Sequence, residues 1–191
     1  MRKTLYALFI AAALAAPVAT GASAQMGGSN NNPMVGGAPM YRTKNIVENA
    51  ANSADHTTLV AAVKAAGLVD TLAGKGPFTV FAPTNAAFDM LPQGTVQTLL
   101  LPENKGTLTK VLTYHVVSGK YDAKKLMQLI KKGGGQARLT TVSGGTLIAR
   151  MSGMNGVSVT DEKGGTASVT TADVYQSNGV IHVIDTVLMP R

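Results

Sequence analysis

The hydrophobic pattern changes its period between the two halves of this chain, and this change limits the fold class more than any other feature. In TTLVAAVKAAG (57–67), Leu59, Val63 and Ala66 recur at helical spacing. After the glycines at 133–135, short β-rich runs alternate with Gly-containing turn clusters, as is typical of antiparallel hairpins. A helix-rich half followed by a strand-rich half predicts an α+β fold, with helices gathered on one side of an antiparallel sheet.

Local signals place the individual elements. Gly67 is predicted to end the first long helix, Thr84 or Asn85 to cap a short one, and Asp122 to cap the helix AKKLMQLIKK. Further helices are expected over 95–101 and 105–114. Strands are predicted over 78–82, 137–142, 146–151, 157–160 and 166–174, and the apolar run NGVIHVIDTVLMP (178–190) is expected to form the last strand pair.

The N-terminus has the pattern of a bacterial secretory signal peptide. Arg2 and Lys3 precede an apolar run, and residues 22–24 (Ala-Ser-Ala) form a small-x-small cleavage site. The run is too short to span a bilayer, which needs about 20 residues. Cleavage after Ala24 would leave a basic chain, since it lowers the formal net charge of +7 by the two residues Arg2 and Lys3. With no cysteine, neither a lipid-anchored N-terminal Cys nor a disulfide can form, which predicts release into the periplasm or the medium.

Residues 25–43 are rich in Gly, Asn and Pro and carry no apolar period, so a flexible leader is predicted there, followed by a folded domain over 44–191. Met26, Met34 and Met40 raise the hypothesis of a Cu(I) site, because thioethers bind this soft metal ion. Their spacing is loose and no histidine accompanies them. A plain linker is therefore the favoured interpretation, with no metal and no cofactor.

Three segments resemble the fasciclin (FAS1) domain family. FTVFAPTNAAF (78–88) is similar to the family's first box, LTYHVVSG (112–119) to its Tyr-His segment, and NGVIHVIDTVLMP (178–190) to its second box. They occur in the family's order and spacing, and the likeness runs from about Lys44 to Arg191, close to the short secreted bacterial members with one domain. The resemblance implies a wedge-shaped β-sandwich decorated with helices, and extracellular adhesion rather than catalysis.

The resemblance also implies a contact surface. In animal members an Asp-Ile pair before the second box and the Tyr-His segment are implicated in integrin binding; the matching positions here are Asp173 and Val174, and Tyr114 and His115. A bacterium has no integrin of its own, so the partner would differ. For Tyr114 and His115, a structural role that ties the helix end to the FAPTN loop is favoured over direct contact.

His182 and Asp185 lie close together in the C-terminal run and raise the question of a catalytic pair. In a regular strand, however, His182 points to one face and Asp185 to the other. A catalytic His-Asp pair needs the two groups in hydrogen-bond contact. The alternation therefore favours packing.

Other catalytic motifs do not occur in the sequence. There is no G-x-S-x-G, no H-E-x-x-H, no phosphate-binding G-x-x-x-x-G-K-[ST] and no cysteine nucleophile. The sequence predicts a protein that is not an enzyme. Among the functions considered, a secreted hydrolase ranks third, after an adhesion module and a ligand binder. The second hypothesis is a periplasmic binder of a small apolar or lipid-like ligand, held in a gap between the helices and the sheet.

A lysine-rich segment over 120–138 suggests how a partner is attracted. Lysines on the polar face of the predicted helix over 123–132 could bind an anionic glycan or another envelope component; they are Lys124, Lys125, Lys131 and Lys132. Nucleic acid is not expected, since no RNA-binding signature is present. Sugar binding on aromatic platforms is also disfavoured, because the chain has no tryptophan. A cell-surface protein or another extracellular-matrix partner remains an alternative, and a homodimer is compatible with the sequence.

Overall fold

A seven-stranded mixed sheet organises the residues that this computed structural model describes, 32–153 and 156–191. The predicted signal peptide and the first part of the predicted leader, with Met26, lie outside the described residues. The strands of the sheet are β3 (Phe78–Pro83), β4 (Val116–Ser118), β5 (Gln136–Thr140), β6 (Thr146–Ser152), β7 (Gly156–Thr160), β8 (Thr166–Gln176) and β9 (Gly179–Ile184), and β1 (Met34–Val35) and β2 (Ala38–Pro39) form a separate hairpin.

The helices of this part of the chain are α1 (Ile46–Ala50), α2 (Thr57–Ala66), α3 (Val69–Ala73), α4 (Asn85–Asp89), α5 (Thr95–Leu100), α6 (Lys105–Tyr114) and α7 (Ala123–Lys132). Short 3-10 turns lie at Ala54–His56 and Pro102–Asn104. Three predicted end signals are confirmed. Gly67 follows α2 with a φ of +72°, Thr84 caps α4, and the Asp122 carboxylate accepts the Lys125 N–H at 2.8 Å at the start of α7.

The strand order across the sheet is β4, β3, β9, β8, β7, β6, β5. Neighbouring strands are antiparallel except β3 and β9, which run parallel. The two edges approach each other through a bridge between Val117 and Thr141 and a 2.8 Å hydrogen bond from Val142 N–H to the Val116 carbonyl. The sheet therefore curves until it is nearly closed, and the predicted α+β class is confirmed.

Hydrophobic cores lie on both faces of this sheet. The helix-side core contains residues of α1–α6 with alternate residues of β3 and β9, such as Val80 and Ile181. The inner core contains Phe81, Ile184 and the apolar stripe of α7, Leu126 and Ile130. All six residues of β9 are buried because the strand is covered on both faces. Six helices contribute to one side, while α7 packs against β5, β6 and β7 on the other.

The described part of the predicted flexible leader is packed onto the domain, so the boundary expected at residue 44 is too late. Val35 and Met40 belong to the helix-side core, and the Ala54 N–H donates to the Gly36 carbonyl at 3.1 Å. A Gly-rich segment without an apolar period can still be ordered when two of its apolar side chains pack into a core. Met40 is 2% exposed while Met34 is 61% exposed, so these two thioethers do not face a common site.

The C-terminal apolar run forms one strand and not the predicted pair. Residues 179–184 make up β9, and the chain then continues without regular secondary structure over the last seven residues, 185–191. Leu188 of this segment is fully buried in the inner core. The partners of β9 come from elsewhere in the chain: β8 on one side and the distant β3 on the other.

Candidate functional site

His182 and Asp185 are held apart by the geometry of β9. The His182 ring donates from Nε2 to the Tyr121 carbonyl at 2.7 Å, accepts the Asp173 N–H at Nδ1 at 3.4 Å, and stacks on Phe81 with ring centroids 5.6 Å apart. Burial lowers the pKa of the imidazole. Asp185 accepts hydrogen bonds from the Ser168 N–H and the Thr186 hydroxyl. The two side chains have separate partners, in agreement with the packing interpretation.

Tyr114 ends α6 with its side chain fully buried in the inner core. Its hydroxyl donates to the Thr146 carbonyl at 2.9 Å and accepts the Glu162 N–H at 3.0 Å. Burial raises the pKa of the phenol, so the hydroxyl keeps its proton at neutral pH. The side chain joins the end of α6 to the start of β6 and to the turn after β7.

His115 is buried next to Tyr114. Its Nδ1–H donates to the Val111 carbonyl at 2.8 Å, and its Nε2 accepts the Leu188 N–H at 3.0 Å. Burial lowers the pKa of this ring to about 4, so the imidazole is neutral at physiological pH. In that state both ring nitrogens are satisfied, and the residue anchors the C-terminal segment to α6.

These positions correct part of the predicted contact surface. Tyr114, His115 and Val174 are all buried, with Val174 1% exposed, and a buried side chain offers no surface to a macromolecular partner. The hydrogen bonds of Tyr114 and His115 agree with the structural role expected for them, but their partners differ from the predicted FAPTN loop. Tyr114 binds Thr146 and Glu162, and His115 binds Leu188 of the C-terminal segment.

Asp173 remains half-buried at an irregular part of β8, where the register with β9 shifts. Its φ is +60°, a conformation that only Asp, Asn and Gly adopt with any frequency. Its Oδ1 accepts the Ala123 N–H at 2.7 Å, one residue after the N-cap Asp122. Two carboxylates therefore satisfy the first N–H groups of α7, where the helix dipole favours negative charge.

The four predicted lysines of α7, at 124, 125, 131 and 132, are exposed. Lys124, Lys131 and Lys132 extend from the polar face of the helix. Lys125 is more restrained, because its Nζ donates to the Lys120 carbonyl at 3.2 Å and lies 4.5 Å from the centre of the Tyr121 ring. The predicted cationic face is thus present on the surface.

A second cationic cluster adjoins the start of α7, which we call the tyrosine–cation surface. Arg42 and Lys120 each lie 4.7 Å from the centre of the Tyr175 ring. The Tyr175 hydroxyl is within 3.4 Å of the Asp122 carboxylate. The remaining members are Tyr41 with Lys44 over its ring at 5.2 Å, and Tyr121 with Lys125. Cation–π contact holds these flexible cations in place at the surface.

Comparison with known proteins identifies the family to which this framework belongs. A family model described as the fasciclin domain matches residues 54–190. The chain belongs to the fasciclin domain family. Protein sll1483 of Synechocystis sp. is 46% identical over 171 residues, which cover 90% of this chain and 87% of the relative.

Two further proteins are similar to this fasciclin domain. The cell surface glycolipoprotein MPB83 of Mycobacterium bovis is 35% identical over 123 residues, 64% of this chain and 48% of MPB83. The solved FAS1 domain pair of the insect cell adhesion molecule Fasciclin I matches with a TM-score of 0.68 at 19% identity, over 76% of this chain and 51% of that chain. This structural likeness supports the FAS1 fold.

A cleft of about 470 Å³ opens beside the tyrosine–cation surface of this fasciclin domain. It lies between the loop 73–77 and the β8–β9 turn, and Lys75, Lys120 and Ser177 contribute to its walls. Lys120 belongs both to this cleft and to the cation pair on Tyr175. We call it the Lys75–Lys120 cleft.

An apolar cavity lies between the helices and the sheet, where the second hypothesis placed a small ligand. Its volume is about 40 Å³, and its lining includes Ile46, Leu59, Val63, Leu72, Val80 and Leu112. Ligand pockets usually measure ~300–1,000 Å³. A lipid-like molecule would therefore enter this fasciclin domain only if α1–α3 moved away from β3.

Two features are absent from residues 32–153 and 156–191. No group of three or more His, Cys, Asp or Glu side chains is arranged to hold a metal ion. No helix in these ranges has the length and apolar character needed to cross a membrane.

Sequence reasoning missed the contributions of Arg42, Lys75 and Tyr175 to the surface. The neighbours Tyr41-Arg42 and Lys120-Tyr121 were a signal, because each places an aromatic ring and a cation side by side in the sequence. Tyr175 gives no such signal. Its two cations come from residues 42 and 120, which only the folded sheet brings together.

Proposed function

We propose that this fasciclin domain is a secreted or periplasmic, non-enzymatic adhesion or interaction module that binds a cell-surface protein or an anionic envelope component. One observation carries the proposal. The polar side chains of the sequence motifs are hydrogen-bonded within the domain, whereas the four α7 lysines and, in the tyrosine–cation surface, Arg42 and Lys120 are exposed. A rigid interior with a charged exterior suits binding without turnover.

Electrostatic attraction is the physical basis of the proposed contact. Exposed cations raise the association rate with an anionic surface, and the effect weakens as salt screens the charges over a Debye length of about 8 Å at physiological ionic strength. Membership of a family that includes an insect cell adhesion molecule and a mycobacterial cell surface protein supports the assignment.

Charge reversal tests this function. The four substitutions Lys→Glu at 124, 125, 131 and 132 should weaken binding of the exported chain to envelope preparations at low salt. A matched control reverses four lysines outside α7, at 64, 105, 110 and 163, and has the same net charge. An equal loss of binding in both variants would show that only net charge matters. Unchanged binding of the α7 variant would exclude the α7 lysines from the contact.

Export is part of the same proposal. The signal pattern predicts a mature chain beginning at Gln25, and intact-mass spectrometry of protein recovered from the periplasm or medium tests it. A mass that includes Met1 would contradict the predicted cleavage. Adhesion between two surfaces also needs two linked binding events, so a homodimer is proposed for bridging, with light scattering as its test.

The second candidate is binding of a small apolar or lipid-like ligand. The apolar cavity between α1–α3 and β3 favours it, since its lining is almost wholly hydrophobic. Native mass spectrometry of protein purified from its own host separates the candidates. A stoichiometric small molecule that is lost on denaturation would support ligand binding in the cavity. Its absence would favour partner binding at the cationic surface.

A further inference from the structure

We propose that the Lys75–Lys120 cleft and the adjoining Arg42 bind the carboxylate groups of an acidic polysaccharide, an inference that rests on the proposed interaction function and assigns its ligand. Lys75 and Lys120 are exposed members of the cleft, and Arg42 reaches the same Tyr175 ring as Lys120. Lys120 therefore links the cleft to the tyrosine–cation surface.

The cations at the Tyr175 ring are positioned before any ligand arrives. Long basic side chains lose much rotamer freedom when they are fixed by a ligand, and this loss weakens binding. Tyr175 holds Arg42 and Lys120 at 4.7 Å from its ring centre in the free protein. Part of the ordering has therefore taken place on folding, which favours affinity for a spaced set of anions.

Two acids near the Tyr175 ring are engaged by the domain itself. Asp122 and Asp173 accept backbone N–H groups at the start of α7, at 2.8 and 2.7 Å, and Asp122 also lies within reach of the Tyr175 hydroxyl. Their negative charge complements the helix dipole. Arg42, Lys44, Lys120 and Lys125 outnumber these two carboxylates, so the surface stays attractive to an external anion.

The walls of the cleft are fixed by side chains that do not need a ligand. The Asn178 amide donates to the carbonyls of Leu72 and Gly74, at 2.8 and 2.9 Å. The Gln176 amide donates to the Val174 carbonyl and its oxygen accepts from Asn49. Rigid walls with an exposed Ser177 beside the lysines suit a hydroxylated ligand.

The shape and chemistry of the site favour a polysaccharide over other anions. A flat membrane surface cannot enter a cleft of about 470 Å³. Single-stranded nucleic acid relies on free aromatic faces for base stacking, and the Tyr175 ring is already in contact with two cations. A chain of carboxylated sugars offers regularly spaced anions and hydroxyl groups, and Arg42 has the planar fork that matches a carboxylate.

The test measures binding of the full exported chain to polygalacturonate by calorimetry at low salt. Methyl-esterified polygalacturonate has the same backbone without the charge and should not bind. The double variant Lys75→Gln/Lys120→Gln should lose about tenfold or more in affinity. Lys131→Gln/Lys132→Gln removes the same charge from the far end of α7 and should change affinity less than about twofold.

Substitutions of Tyr175 test whether its ring positions Arg42 and Lys120 for binding, because they leave the net charge unchanged. Tyr175→Leu removes the ring and keeps every cation, and should weaken polygalacturonate binding about three- to tenfold. Tyr175→Phe keeps the ring and should bind like the wild type. Thermal unfolding of both variants checks that the domain stays folded, and equal affinity of all three proteins would overturn the role of the Tyr175 ring.

Two other polyanions separate failure of this inference from failure of the proposed function. Tighter binding to polyglutamate or to phosphatidylglycerol vesicles than to polygalacturonate would overturn the polysaccharide assignment and leave an interaction module. Equal losses of polygalacturonate affinity in the two lysine double variants would overturn the assignment of the binding site to the cleft. Failure to bind any of the polyanions, with envelope binding retained, would overturn only this inference, and loss of envelope binding as well would overturn both.

Discussion

Replacing His115 by glutamine should remove a defined part of the acid sensitivity of this domain. The buried ring has a pKa of about 4 against 6.5 for the ordinary group. At ~1.4 kcal/mol per pH unit, the difference corresponds to about 3 kcal/mol of unfolding free energy. Because the folded-state pKa is lowered, the unfolded chain takes up the proton first as pH falls. The contribution is full above pH 6.5 and is lost between pH 6.5 and about 4.

Glutamine suits this test because it does not titrate and its side-chain oxygen can accept the Leu188 N–H in place of Nε2. The measurement is chemical denaturation of wild type and His115→Gln at several pH values between 7.5 and 4. The variant should be less stable at pH 7, since it loses the bond to the Val111 carbonyl, and it should lose about 3 kcal/mol less than the wild type on acidification.

The difference between the two proteins isolates His115, since the other buried histidines titrate in both. Parallel stability–pH curves would refute the reasoning, because the ring would then not be the group that takes up the proton. Binding per folded molecule at pH 7 is the second readout. We expect it to be unchanged, and a variant with wild-type melting temperature and no binding would restore His115 as a contact residue.

Two further predictions use matched pairs of substitutions, each measured as unfolding free energy in denaturant at pH 7. Met40→Ala should cost about 2–4 kcal/mol because Met40 is buried, whereas Met34→Ala at a 61% exposed side chain should change stability by less than about 0.5 kcal/mol; similar values would contradict the packed hairpin. Gly145→Ala should cost about 1–3 kcal/mol because its Cβ would lie 2.6 Å from the Tyr114 ring, while Gly106→Ala in α6, with no atom within 4 Å, should stabilise by about 0.5–1 kcal/mol. A neutral Gly145→Ala would show that Tyr114 can move.

The packing role of His182 could be predicted from sequence because it depends on a local rule. Side chains of a strand alternate between its faces, and this alternation separates His182 from Asp185 whatever the neighbouring strands are. The N-cap Asp122 and the stop Gly67 are local for the same reason. A carboxylate that accepts N–H groups three residues ahead, or a glycine with φ +72°, needs no distant partner.

The parallel pairing of β3 and β9 depends on tertiary structure. These strands are separated by about a hundred residues, and no pattern within either strand specifies the other. The hairpin of β1 and β2 was missed for a similar reason. Val35 and Met40 are isolated apolar residues in a Gly-rich segment, and they stabilise it only by packing into a core that distant residues form.

For this protein, the sequence alone determined the family and the α+β class, from patterns spread along the chain that need no knowledge of contacts. It also determined the ends of α2, α4 and α7, since each end is encoded by residues close together in the chain. Tertiary structure decided which residues face a partner. It buried Tyr114, His115 and Val174, and it joined Arg42, Lys120 and Tyr175 from three distant segments into one surface. Burial and long-range contact are properties of the folded chain, because both depend on what packs against a residue and not on its sequence neighbours.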